Sequence, residues 1–111
     1  MKRETKTNMF NGQGEIHFIH LLEEEQMNGM LRVYAQVTLP PHSSIGFHTH
    51  HGDGESYYIL SGEGLYHDDH QQYKVHAGDH TFAKDGTGHL LENIGSEPLV
   101  MMALIIYTEK K

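Results

Sequence analysis

Two histidines and a glutamate within one short stretch pose the first chemical question of this sequence. In "GFHTHHGDGES", His48 and His50 are separated by one residue and Glu55 follows shortly after. On an extended backbone, residues two apart point to the same side. His48 and His50 therefore project together, and His51 falls opposite. Beyond the "GDG" turn, Glu55, Tyr57 and Ile59 share one face and Tyr58 takes the other. If that turn closes a hairpin, two imidazoles and a carboxylate meet within bonding reach of one cation. Imidazole nitrogen and carboxylate oxygen suit divalent first-row metals better than calcium or magnesium. A lone H-x-H is common, and its duller reading is a polar, histidine-rich loop.

A second stretch strengthens the metal reading. In "GDHTFAKDGTGHLLEN", residues 78–93, the chain turns at Gly86 and Gly88 and restarts at His89. His89, Leu91 and Asn93 then share a face, so His89 can be a fourth ligand and Asn93 can sit near the pocket. Tyr57, following Glu55 on the inward face, is the other candidate to contact the ligands; its competing reading is an ordinary core tyrosine.

These residues need a rigid frame, and the punctuation of the chain supplies one. "NGQG", "PPHSS", "GDG", "SGEG", "AGD" and "IGSEP" recur every ~8–12 residues, the spacing of an all-β sandwich or barrel. Residues 30–39, "MLRVYAQVTL", alternate with period two, the pattern of a half-buried strand. "EIHFIHLL", "ESYYILSG", "GLYH", "QYKV", "HTFA", "HLLEN" and "LVMMALIIY" supply further strands. Only "LLEEEQMN" offers a turn of helix, with Glu23 to Glu25 as a solvated face. The 111 residues suffice for one domain with one core, and the absence of cysteine rules out a disulfide framework.

Charge narrows the partners. The formal net charge is −7, with all but two of the fifteen acidic residues lying between the basic termini. So acidic an interior repels phosphate backbones, which sets nucleic acid aside. No apolar run approaches the ~20 residues of a membrane span, and the opening "MKRETKTNMF" lacks the apolar stretch of a secretory signal. The expectation is a cytoplasmic protein whose partner is a small polar molecule.

Taken together, the two stretches resemble the motifs of the cupin family. The first motif is matched by His48, His50, Glu55 and Gly62, the second by Gly78, Gly86, His89 and Asn93, with fifteen residues between them. His42 and Lys84 stand where the family has glycine and proline, both at turns. The resemblance implies an all-β double-stranded β-helix, a jelly-roll cupin barrel over residues 15–108, with an N-terminal arm at 1–14 and a tail at 109–111. It implies a divalent transition metal (Mn, Fe, Ni or Zn) held by His48, His50, Glu55 and His89. Neutral imidazoles and one carboxylate leave such an ion a formal +1 charge and open positions for water, dioxygen or a chelating molecule. Small members of the family are commonly homodimers. The functional expectation is a metal-dependent enzyme of dioxygenase, isomerase or lyase class; the competing readings are a non-catalytic binding or sensing module and a purely structural ion.

Other residues carry lesser expectations. Ile59, Phe82, Leu91 and Met102 are expected as apolar walls. His42, His51, His67, His70 and His76 read as surface residues, and Lys84 as an exposed turn residue rather than a flank of the pocket. His80 reads as structural, and His17 and His20 take opposite faces of one strand. The uninterrupted apolar run Met101–Ile106 predicts a strand buried on both sides or covered by a second subunit.

Overall fold

The alternation in residues 30–39 is realised in a strand. The computed structural model describes residues 1–111, and in it Ala35, Val37 and Leu39 are buried while Arg32 and Tyr34 are exposed. Ten strands are formed: β1 (Lys2–Thr7), β2 (Glu15–His20), β3 (Leu31–Leu39), β4 (Ser44–Thr49), β5 (Asp53–Ser61), β6 (Glu63–Asp68), β7 (Gln72–His76), β8 (His80–Ala83), β9 (Gly88–Asn93) and β10 (Leu99–Tyr107). A single helical turn, α1 (Glu24–Met27), lies where the sequence offers one, its first turn exposed and capped by the Glu23 and Gln26 side chains.

The strands form two antiparallel sheets, ordered β1-β2-β3-β10-β5-β8 and β4-β9-β6-β7. This is the all-β double-stranded β-helix that the motifs imply. Their inner faces enclose one apolar core, in which Ile16, Val37, Leu39, Leu91, Leu99 and Met101 are fully shielded from solvent. Burying each such side chain stabilises the fold by ~1.5–3 kcal/mol, before chain entropy is subtracted.

Four expectations need correction. The "GDG" turn does not close a hairpin: β4 pairs with β9, whereas β5 pairs with β10 and β8. The turn instead carries the chain from one sheet to the other, so Glu55 faces the histidines across the interior rather than along one ribbon. Phe82 and Met102 are not inner walls. In β8 it is Thr81 and Ala83 that turn inward, leaving Phe82 54% exposed, and Met102 is cross-strand from exposed Tyr58 on the outer face. Within the single chain β10 is buried on one side only, with Leu99, Met101 and Ala103 inward and Ile106 exposed. Burial on both sides by the chain itself is thus the branch that fails, and cover by a second subunit stands as an expectation.

Within residues 1–14, residues 2–7 form the edge strand β1, in register with β2 from Lys2↔His20 to Thr7↔Glu15. "KRETKT" has no apolar alternation to announce a strand. Its charges are what protect a sheet edge from pairing with other chains.

Candidate metal centre

A β-bulge aims the first histidine. Between Ile45 and His48 the register of β4 against β9 shifts: Ile45 faces Leu91 and His48 faces His89. One extra residue on β4 reverses the alternation, so Phe47 turns outward and His48 inward. The bulge is built at Gly46, where a Cβ would lie 2.0 Å from the Phe10 carbonyl oxygen. His50 follows on extended backbone, its N–H donating to Thr87 O and its carbonyl accepting from Gly86 N–H. Glu55 comes from β5 in the facing sheet, and His89 from β9.

The four side chains meet. His89 Nε2 lies 3.0 Å from His48 Nε2 and 3.0 Å from Glu55 Oε1. His50 Nε2 lies 3.1 Å from His89 Nε2 and 3.2 Å from Glu55 Oε1. His48 Nε2 is 3.5 Å from the same carboxylate oxygen. A cation about 2.0–2.2 Å from each atom, the range for imidazole and carboxylate ligands, sets neighbours roughly 3.0–3.4 Å apart. The cluster therefore has the size of a first-row coordination shell.

The outward side of each ring explains why the inward side is free. His48 Nδ1–H donates to Gly46 O at 2.9 Å, and His50 Nδ1–H donates to Asp53 Oδ1 at 2.7 Å. In neutral imidazole this leaves Nε2 with a lone pair pointing at the other ligands. His89 Nδ1 is 2.9 Å from the Tyr66 hydroxyl. Lone pairs and a carboxylate aimed at one point repel unless positive charge lies among them. The donor set thus fits a divalent transition metal.

Titration reflects the same frustration. Burial pushes Glu55 up, but the imidazoles of His48, His50 and His89 together outweigh it and hold its carboxyl well below the usual range. Glu55 raises the pKa of His50 against an opposing burial effect, with Asp53 assisting. Burial depresses His89, and Glu55 only partly offsets it. Tyr66 is raised to about 12, first by burial, so its phenol stays protonated at neutral pH.

Tyr57 packs where expected: its ring stacks on His89 with centroids 4.9 Å apart and planes 16° from parallel. Burial and the Glu55 charge push its phenol far up, so it serves as a neutral wall. Asn93 is elsewhere. Its Nδ2 donates to Leu39 O and Glu97 O, its Oδ1 accepts from Gly95 N–H, and no polar atom is left for the pocket. Its face was read correctly, but four residues of strand carry it roughly 13 Å from His89.

Three contributors went unread in the sequence. Asp53 links His50 to Arg32, whose Nε is 3.2 Å from Asp53 Oδ2. Tyr66 supports His89 from β6. Phe10 stacks on His48 with centroids 4.2 Å apart and planes 14° from parallel. Asp53 could have been suspected, since a carboxylate beside a ligand histidine commonly fixes its tautomer. Tyr66 and Phe10 depend on tertiary contacts that spacing does not encode.

A cavity of about 360 Å³ reaches His48, His50 and Glu55 but not the fully buried His89. Phe18, Val33 and Ile105 are among its apolar walls, and Lys6, Arg32 and His51 also line it. Lys84 does not, in keeping with an exposed turn residue. His42 adopts φ 68°, the left-handed backbone that makes glycine the family's choice there.

The model of the cupin domain matches residues 35–107. The chain is a cupin. This cupin is 44% identical over 103 residues to the oxalate-binding protein of Thermotoga maritima, covering 93% of the chain and 85% of that protein. It is also similar to a Thermotoga maritima crystal structure described as a predicted oxalate decarboxylase, with 42% identity, TM-score 0.92, and coverage of 96% of this chain and 93% of that one. A putative sugar phosphate isomerase from Acidithiobacillus ferrooxidans, at 24% identity, TM-score 0.80 and coverage of 96% and 68%, shares the cupin's fold. No helix of the cupin is long and apolar enough to cross a membrane.

Proposed function

We propose that this chain holds a divalent first-row transition metal through His48, His50, Glu55 and His89 and uses it to bind a small oxygen-chelating carboxylate. The observation that carries the reading is the convergence of three imidazole nitrogens and one carboxylate oxygen, with the outward ring nitrogens already engaged. When bound, the ion supplies Lewis acidity and a formal +1 charge that attracts anionic oxygen. The chain's own residues keep the rings in the ligating tautomer, exclude water behind His89 and leave one side open to the cavity. The relative's name makes oxalate the first ligand to try.

Turnover is the second reading: His51, an exposed ionisable side chain, lines the same cavity. Elemental analysis of protein purified without chelator or histidine tag should find about one transition metal per chain. Calorimetric titration with oxalate should then give heat with the loaded protein and none after the metal is stripped. Equal binding by stripped protein, or full metal content in the His48→Ala/His89→Ala variant, overturns the proposal. Recovering the added acid unchanged after long incubation selects binding over turnover.

A homodimer is part of this proposal. Tyr58, Leu60, Phe82 and Met102 share the outer face of the larger sheet, and the first three are exposed. Light scattering should give twice the chain mass of 12.7 kDa, and a single-chain mass removes the dimer.

A further inference from the structure

The cavity is larger and more apolar than oxalate requires. At about 30 Å³ per water, 360 Å³ corresponds to roughly a dozen waters, about twice the heavy atoms of oxalate. Its size falls in the range of pockets that enclose organic ligands with a substantial apolar body. Phe18, Val33 and Ile105 line it. A dianion with no carbon–hydrogen surface gains nothing from such walls and loses hydration against them.

Charge points the same way. A divalent ion with Glu55 as its one anionic ligand is formally +1, and the nearby Asp53 is already paired with Arg32. A monoanion brings the centre to neutrality. Oxalate carries one negative charge more than the centre, and of the cationic side chains lining the cavity Arg32 is paired with Asp53, which leaves only the exposed Lys6 to meet it.

Phe10 completes the apolar side. It is 51% exposed, so it contributes little to the core, yet it lines the cavity and covers the His48 ring. Its backbone is left-handed, φ 53°, between Asn8 and Asn11 at φ 51° and 62°. Asparagine tolerates that region, whereas an aromatic residue there is strained and persists only when its surroundings enforce it. Here they do. The turn is pressed onto β4, so closely that a Cβ on Gly12 would lie 2.3 Å from Ser44 O. Gln13 and Ser44 exchange backbone hydrogen bonds of 3.2 and 2.9 Å across the same contact. Strain maintained at a half-exposed aromatic over a ligand cavity marks a recognition residue.

We infer that the ligand this site is shaped for is a 2-oxo acid with a branched or aromatic substituent, chelating through carboxylate and keto oxygens, its substituent lying against Phe10, Phe18, Val33 and Ile105. This rests on the metal-chelate reading above.

The test titrates the metal-loaded protein with oxalate, pyruvate, 4-methyl-2-oxopentanoate and 4-methylpentanoate. Each methylene removed from water strengthens binding roughly fourfold when fully buried, so the three extra carbons of the branched oxo acid should give at least tenfold over pyruvate. It should also outbind oxalate, and 4-methylpentanoate, lacking the keto oxygen, should bind far more weakly. Phe10→Ala should cut the branched acid's advantage over pyruvate to threefold or less. Val33→Phe, which fills the cavity instead of opening it, should reverse that preference. If oxalate or pyruvate binds as tightly as the branched acid, the ligand class is wrong while the metal-chelate reading stands. If none of the four binds with the metal in place, both fall. An unchanged preference in both variants refutes the assigned wall.

Discussion

His89 and Asn93 belong to one motif, one strand and one inward face, and both are almost wholly buried, yet they serve opposite ends of the barrel. At the His89 end, side chains from both sheets point polar atoms at each other at the spacing of a coordination shell. At the Asn93 end, every polar atom is matched by backbone: Asn93 ties Leu39, Glu97 and Gly95 together. One end gathers a donor set fit for a cation, and the other satisfies its own polar atoms. Burial of a polar residue marks neither function nor structure until its hydrogen bonds are traced.

The widest separation between the ends should come from paired substitutions. His89→Ala should weaken metal binding more than a hundredfold. It removes one ligand and leaves the Tyr66 hydroxyl without its partner. Asn93→Ala should leave metal stoichiometry intact while destabilising the fold by about 2–3 kcal/mol, because it strands buried backbone groups. Metal content and urea unfolding of both variants measure this. An Asn93→Ala protein that folds normally but binds no metal would erase the contrast.

How much of this contrast was readable from the sequence follows from what spacing can encode. Period two gave the inward faces of β3, β5 and β9 and placed Glu55, Tyr57, His89 and Leu91 correctly, since one-sided burial enforces alternation. It does not say which strands pair, so a crossing between sheets at residues 50–52 looks in the sequence like the turn of a hairpin. Nor could it show how far along a face a residue lies, which is why Asn93 was set near the pocket. The bulge at Gly46 is a harder case. Simple alternation from Ile45 would point Phe47 inward and His48 out, and only the extra residue reverses it. β1 escaped notice because "KRETKT" is stabilised by its neighbour and by edge chemistry rather than by a buried face.

A smaller effect should sharpen the His89 end itself. Asp53 accepts from His50 as a carboxylate, whereas Tyr66 meets His89 as a neutral phenol. A charged partner holds and polarises an imidazole more strongly than a neutral one. Asp53→Ala should therefore weaken metal affinity by about 10–100-fold, the usual range for groups that orient ligands. Tyr66→Phe should cost less. Competition with a chelator of known affinity reads both, and a larger loss in Tyr66→Phe would show that burial of His89, not charge behind His50, limits binding.

The subtlest difference concerns pH, where two ligands at the same end oppose each other. In metal-free protein the pKa of His50 is raised above 6.5, so its stabilisation is full below that pH and fades as pH rises through the higher folded value. His89 is depressed below 6.5, so its contribution is full above that pH and fades as pH falls through the lower folded value. The metal-free protein should thus show a shallow maximum of thermal stability near pH 6.5, declining on both sides. Metal binding requires His50 to be unprotonated, so loading should abolish the alkaline decline and steepen the acid one, as protons compete for the ligands. Glu55 adds its own acid loss only below the ordinary carboxylate value of 4.5, because its folded pKa is lowered. Melting temperatures from pH 5 to 9, with and without chelator, separate the two profiles. If they run parallel, the imidazoles are not exchanging protons for metal, and the polar convergence around Glu55 is held together by hydrogen bonds alone.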